Sequence, residues 1–117
     1  MLSNPKKYVI DNGGFIFFAM VNGEVAGTFA LLKQEGNTYE LSKMAVGEEY
    51  QGKNIGNKIM IFCIEQAKRL EALKLVLYSN TKLGPAIHLY RKYGFYEIPV
   101  GNSGYKRSNI KMELTLK

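Results

Sequence analysis

Three residues in one short loop have the types and spacing of an anion-binding site. Gln51, Asn54 and Gly56 stand in the run Gln51-Gly52-Lys53-Asn54-Ile55-Gly56-Asn57. It lies between an apolar run that ends at Met44-Ala45-Val46 and an amphipathic run that reaches Leu70. A small-residue loop that opens a helix presents backbone N–H groups with no intrahelical partner, and the peptide dipoles add there, so anions bind. A pyrophosphate suits such a place. The pattern is Gln-x-x-Asn-x-Gly, which is neither Gly-x-Gly-x-x-Gly nor Gly-x-x-x-x-Gly-Lys-Ser/Thr. An ordinary turn and helix start would use the same residues. Lys53 and Lys58 could add charge beside the phosphates, as point charges rather than bidentate clamps.

A second group follows the next apolar run. Ala86, Tyr90 and Tyr93 are spaced i, i+4, i+7 and share one helix face, which an amphipathic core face also explains. His88 is the only histidine and neighbours Arg91 and Lys92, so it reads as a surface residue. With one histidine and one cysteine, no zinc ligand set and no disulfide can be assembled; no metal is expected. Cys63 falls in an apolar stripe with nothing cationic to lower its pKa, and reads as a small buried hydrophobe.

The elements that must hold these residues can be read in order. A chain of 117 residues with 46% apolar and 22% charged residues is one globular domain, able to bury about two-thirds of its unfolded surface. No apolar run approaches the ~20 residues a membrane span needs, and no signal-peptide pattern opens the chain, so a cytoplasmic protein with no membrane partner is expected. The net charge of +6 suits an anionic ligand, either a phosphorylated cofactor or nucleic acid. Residues 1–13 are poorly patterned, with Tyr8-Val9-Ile10 as a turn of helix or an extended piece. Phe15 to Val21 and Glu24 to Lys33 read as strands around Asn22-Gly23, the hairpin signal of a type I′ turn. Tyr39 to Val46 is the third strand of this meander. Its apolar residues change phase, with Leu41 on one parity and Met44 and Val46 on the other. A strand covered on both faces would hide that, or a bulge near Lys43–Met44 splays it from its neighbour.

Residues 55–70 form a helix whose stripe from Ile55 to Leu70 suits lying on a sheet, with Ile61 intruding on the polar arc. Residues 73–78 form a strand that should run parallel to 39–46 through a right-handed crossover. Pro85 opens and Gly94 closes a second helix. Phe95 to Val100, a polar loop, and Asn109 to Leu116 end the sheet.

Two motifs in order now resemble a known family. Gln51-x-x-Asn54-x-Gly56 resembles the acetyl-CoA pyrophosphate loop of the GNAT superfamily of N-acetyltransferases, with Asn54 where glycine is usual. Asn tolerates positive φ, so the loop can keep its shape. Asn80, Ala86 and Leu89-Tyr90-Arg91-Lys92-Tyr93-Gly94-Phe95 resemble that family's second signature. The resemblance covers residues 14–117. It implies an α/β (α+β) fold: a single mixed, largely antiparallel sheet of about six strands, a central parallel strand–helix–strand crossover, and helices packed on it. The family usually begins with a further strand and one or two helices that wall the acceptor cleft, and this chain is shortened there. Truncation, a longer parent chain, or a wall borrowed from a partner such as a second copy would each account for that.

The implied activity is transfer of an acetyl group from acetyl-CoA to a primary amine, by direct attack in a ternary complex. The acceptor would be a small-molecule or peptide amine. The resemblance assigns the pyrophosphate to residues 51–57, and the pantetheine arm to Met44, Ala45 and Val46. Asn80, Ala86, Tyr90 and Tyr93 would flank the cofactor from the other side. A backbone N–H at the splayed strand would stabilise the thioester oxyanion. Tyr90, a phenol near ~10, is the general acid for the leaving thiolate, and Glu40 the general base, directly or through water. A salt bridge or solvent exposure would equally explain Glu40. Tyr105 and Arg107 are assigned to the acceptor cleft, where surface loop residues are the plain alternative. Two other functions compete: a CoA-binding but inactive member, and a basic nucleic-acid-binding module. Against the latter, the tyrosines are not interleaved with Lys/Arg on one face, so no nucleic-acid partner is expected.

Overall fold

β-branched and aromatic residues make Gly14–Val21 (β2) and Glu24–Lys33 (β3) strands, and the turn between them has positive φ at Asn22 and Gly23, as a type I′ hairpin requires. The computed structural model describes residues 3–10, by their backbone, and residues 13–52, 54–101 and 108–116. Ser3–Ile10 (β1) pairs antiparallel with β2, Thr38–Val46 (β4) with β3. The helix Ile55–Arg69 (α1) leads to Lys74–Ser79 (β5), and Gly84–Lys92 (α2) to Tyr96–Ile98 (β6) and Ile110–Thr115 (β7). The sheet has seven strands in the order β1-β2-β3-β4-β5-β7-β6, with β4 and β5 its parallel pair.

β1 is the strand beyond the six that the patterned part of the sequence supplies. Asn4 and Pro5 disfavour a strand, and the register shifts between Ser3 and Lys6, where Pro5 cannot donate. At a sheet edge that absence is tolerated. Ile10 pairs with Gly14, so the two strands meet within a few residues of each other in the chain.

The core lies between the sheet and the two helices. Phe17 of β2 stacks on Phe29 of β3 at 4.8 Å, and Phe62 of α1 meets both rings edge-on. Ile55, Ile59, Met60, Cys63 and Ala67 are the buried side of α1, while Ile61 is 47% exposed on its polar arc. Burying an Ile, Met or Phe side chain contributes roughly 1.5–3 kcal/mol. Gly94, at φ 98°, ends the second helical segment as expected.

Candidate active site

The phase change in β4 is a bulge. Thr28 faces Ala45 and Ala30 faces Ser42, so two residues of β4 oppose one of β3, and Lys43 takes φ 55°. The extra residue restores the pattern: Tyr39 and Leu41 before it, and Met44 and Val46 after it, all pack on the same cluster. It also parts β4 from β5. Their parallel pairing runs through Thr38–Lys74, Tyr39–Leu75 and Glu40–Val76 and stops there.

A cavity of about 320 Å³ opens where the pairing stops. Glu40, Ser42 and Met44 line it from β4, Tyr78 and Asn80 from the β5 side, and Tyr90 from α2. Glu40 is 6% exposed, which removes solvent exposure from its alternatives. Half-buried Tyr90 packs on Phe95, ring centres 5.9 Å apart. Burial pushes its phenol pKa above the usual 10, and the buried Cys63 thiol adds to the shift. The Cys63 thiol is itself pushed well up by burial, so it is inert. Asn80 Oδ1 accepts the Lys82 N–H at 2.9 Å, closing the turn into α2.

The loop after β4 is tied at both ends. Gly47 N–H donates to Ala26 O at 2.8 Å, Gln51 Nε2 to Val46 O at 3.1 Å, and Tyr50 Oη to Glu24 at 2.8 Å. Gly52 and Asn54 have φ of 78° and 64°, so Asn54 does take the left-handed conformation in place of glycine. Asn54 Oδ1 accepts from Asn57 Nδ2 at 2.7 Å, and Asn57 Oδ1 accepts from Lys92 Nζ at 2.7 Å and Tyr93 Oη at 2.8 Å. This network joins the start of α1 to the end of α2. A second cavity, of about 420 Å³, is lined by Val46, Gln51, Gly52 and residues 54–57 on one side, and by Pro85, His88, Leu89 and Lys92 on the other.

Gly56 tests whether an anionic group fits here. A methyl on it would meet Leu89 Cδ2 at 3.7 Å and Val46 Cγ2 at 4.0 Å, ordinary contacts, so the protein's own packing does not require glycine. Glycine instead keeps space above the first-turn N–H groups of α1, which have no intrahelical acceptor. That suits a pyrophosphate.

The structure thus brings Glu40, Met44, Asn80 and Tyr90 to one cavity and Val46, Gln51, Gly52 and Asn54 to Asn57 to the other. Ala45 pairs with Thr28 and lines neither, and half-buried Ala86 lines neither. Tyr93 does not line them either; it holds Asn57. Lys53, Tyr105 and Arg107 lie outside the described residues. Sequence reasoning missed His88 and Lys92 as cavity residues, although their i, i+4 spacing puts both on one helix face.

Gly27 is where β3 must let the β4 bulge approach. A methyl there would run into Ile59 of α1 and stand 2.7 Å from the Ala45 carbonyl oxygen. Gly27→Ala is therefore expected to cost about 1–3 kcal/mol, read as a lower melting temperature. An unchanged melt would show that the strand end yields freely.

A sheet with a splayed parallel pair, and a small-residue loop that opens a helix beside the gap, is the architecture of an acyl-CoA N-acyltransferase fold. An acetyltransferase of the GNAT family from Staphylococcus aureus Mu50 superposes with a TM-score of 0.83 at 27% identity, over 93% of this chain and 72% of that one. A Bacillus subtilis acetyltransferase in complex with CoA gives 0.78 at 26%, over 89% and 78%. One from Elizabethkingia anophelis with acetyl-CoA bound gives 0.77 at 25%, over 88% and 76%. The family model "Acetyltransferase (GNAT) family" matches residues 2–95, and the chain belongs to that family. It is 32% identical over 98 residues to the "uncharacterized N-acetyltransferase YvbK" of Bacillus subtilis (strain 168). The match takes in 81% of this chain and spans 63% of that relative's length.

Proposed function

We propose that this chain moves an acetyl group from acetyl-CoA to a primary amine by direct attack in a ternary complex. The observation that carries this is the gap beyond Glu40 and Val76, with buried Glu40 and half-buried Tyr90 on one cavity and the loop that opens α1 lining the other. The CoA and acetyl-CoA bound by the two relatives support the same ligand here. Residues 51–57 would hold the pyrophosphate, and Met44 and Val46 the pantetheine arm. Acetyl-CoA supplies an activated thioester. Glu40, directly or through water, takes the proton of the acceptor ammonium so that its nitrogen can attack. As the new C–N bond forms and the C–S bond breaks, Tyr90 gives its proton to the departing sulfur, and the proton that the nitrogen then sheds to become an amide leaves through water, which returns one to the phenol. The acceptor is a small-molecule or peptide amine, and a cytoplasmic location goes with it; among the described residues no helix is long and apolar enough to cross a membrane.

Thermal melts test the ligand. CoA at ~100 times its dissociation constant should add roughly 2.7 kcal/mol, or about 10 °C, and oligonucleotide little at 200 mM salt. Stabilisation by the oligonucleotide alone would favour a nucleic-acid-binding module. Thiol release across a panel of amines then separates an enzyme from an inactive CoA-binding chain.

A further inference from the structure

The α2 wall of the second cavity carries charge that the pyrophosphate assignment does not use. Lys92 Nζ is held 2.7 Å from Asn57 Oδ1 and 5.7 Å from the centre of the Tyr93 ring. Neither partner neutralises it. Among the described residues the ion pairs are Lys74–Glu113 and Arg91–Glu97, and Lys92 has no carboxylate partner. His88, exposed and one turn earlier, lines the same cavity. Side chains four apart on a helix are neighbours, so the two present a joint donor surface. A cofactor with its pyrophosphate on residues 51–57 and its pantetheine arm toward Tyr90 has only its ribose end left to place. Pro85, His88, Leu89 and Lys92 of α2 line the same cavity as the loop, within reach of that end.

We propose that Lys92 and His88 form a subsite for the 3′-phosphate of CoA, and so select CoA over carriers that lack that phosphate. The inference rests on the acetyl-CoA reading above. A fixed lysine is a point-charge phosphate ligand, and a hydrogen bond to a charged group contributes enough for about a tenfold preference.

Calorimetric titration of the full chain with CoA and with 3′-dephospho-CoA tests it. The native chain should bind CoA about tenfold tighter or more. Lys92→Met should bring the two affinities within about twofold, chiefly by weakening CoA. His88→Ala touches none of the Asn57 bonds and should narrow the ratio by about two- to threefold; it decides the matter if Lys92→Met folds poorly. Equal affinities in the native chain would overturn the subsite and leave the enzyme reading intact. So would a Lys92→Met loss shared equally by both ligands, which would assign Lys92 to the pyrophosphate or to Asn57. If neither ligand binds, the acetyl-CoA reading fails and the subsite with it.

Discussion

Gly56→Glu is expected to abolish CoA binding while leaving the empty protein folded and no less stable. A carboxylate on the first turn of α1 would occupy the space that glycine keeps above the free N–H groups. It would also set a like charge beside the pyrophosphate. Two unit charges at ~4 Å and an effective dielectric of ~20 repel by about 4 kcal/mol, roughly 1000-fold in affinity. For the helix alone the change is mildly favourable, because an acidic side chain suits the N-terminal dipole and glutamate is a better helix former than glycine. The variant should therefore melt at or slightly above the native temperature and show no shift with CoA. Gly56→Ala is the control. Its methyl makes ordinary contacts with Leu89 and Val46, so it should fold normally and bind with a far smaller loss. A CoA-induced shift retained in Gly56→Glu would mean that the loop does not hold the phosphates.

Tyr90→Phe is expected to lower turnover about 100-fold at neutral pH with CoA affinity almost unchanged. The ring still packs on Phe95, so packing is kept and only the hydroxyl is lost. Burial holds the Tyr90 pKa above 10, so the phenol is protonated throughout the neutral range. The alkaline limb that Tyr90 imposes on turnover thus lies above pH 10, and Tyr90→Phe should lack it. The same shift bears on stability. A folded pKa above the unfolded value contributes stability that is present below pH 10 and lost as pH rises through the folded value. Unchanged turnover in the variant would remove Tyr90 from the acid role.

Much of this arrangement was legible because local backbone demands show in residue choice. The parity change between Leu41 and Met44/Val46 fits a strand covered on both faces or a bulge alike, and the pairing, with φ 55° at Lys43, is that of a bulge. Asn22-Gly23 and Gly94 announced left-handed positions, and Asn54 kept the loop's left-handed residue without glycine. What stayed hidden is non-local. β1 is set by pairing with β2, against the poor strand propensity of Asn4 and Pro5. Tyr93 and Lys92 reach Asn57 from 36 and 35 residues away, so their duty as struts depends on how α2 crosses the start of α1. His88 was placed correctly at the surface, but which surface it shares follows from that crossing too.

The bulge at Lys43 puts a raw margin in the middle of the sheet rather than at its rim. Beyond Glu40 and Val76 the two parallel strands no longer satisfy each other. Such a margin is a template for any extended chain, including a strand of a neighbouring molecule. An acyl carrier lying in the gap would act as a stopper, so protein stripped of it should be the form that clumps. On heating, turbidity should set in at a lower temperature without CoA than with it, by more than the difference in melting point alone.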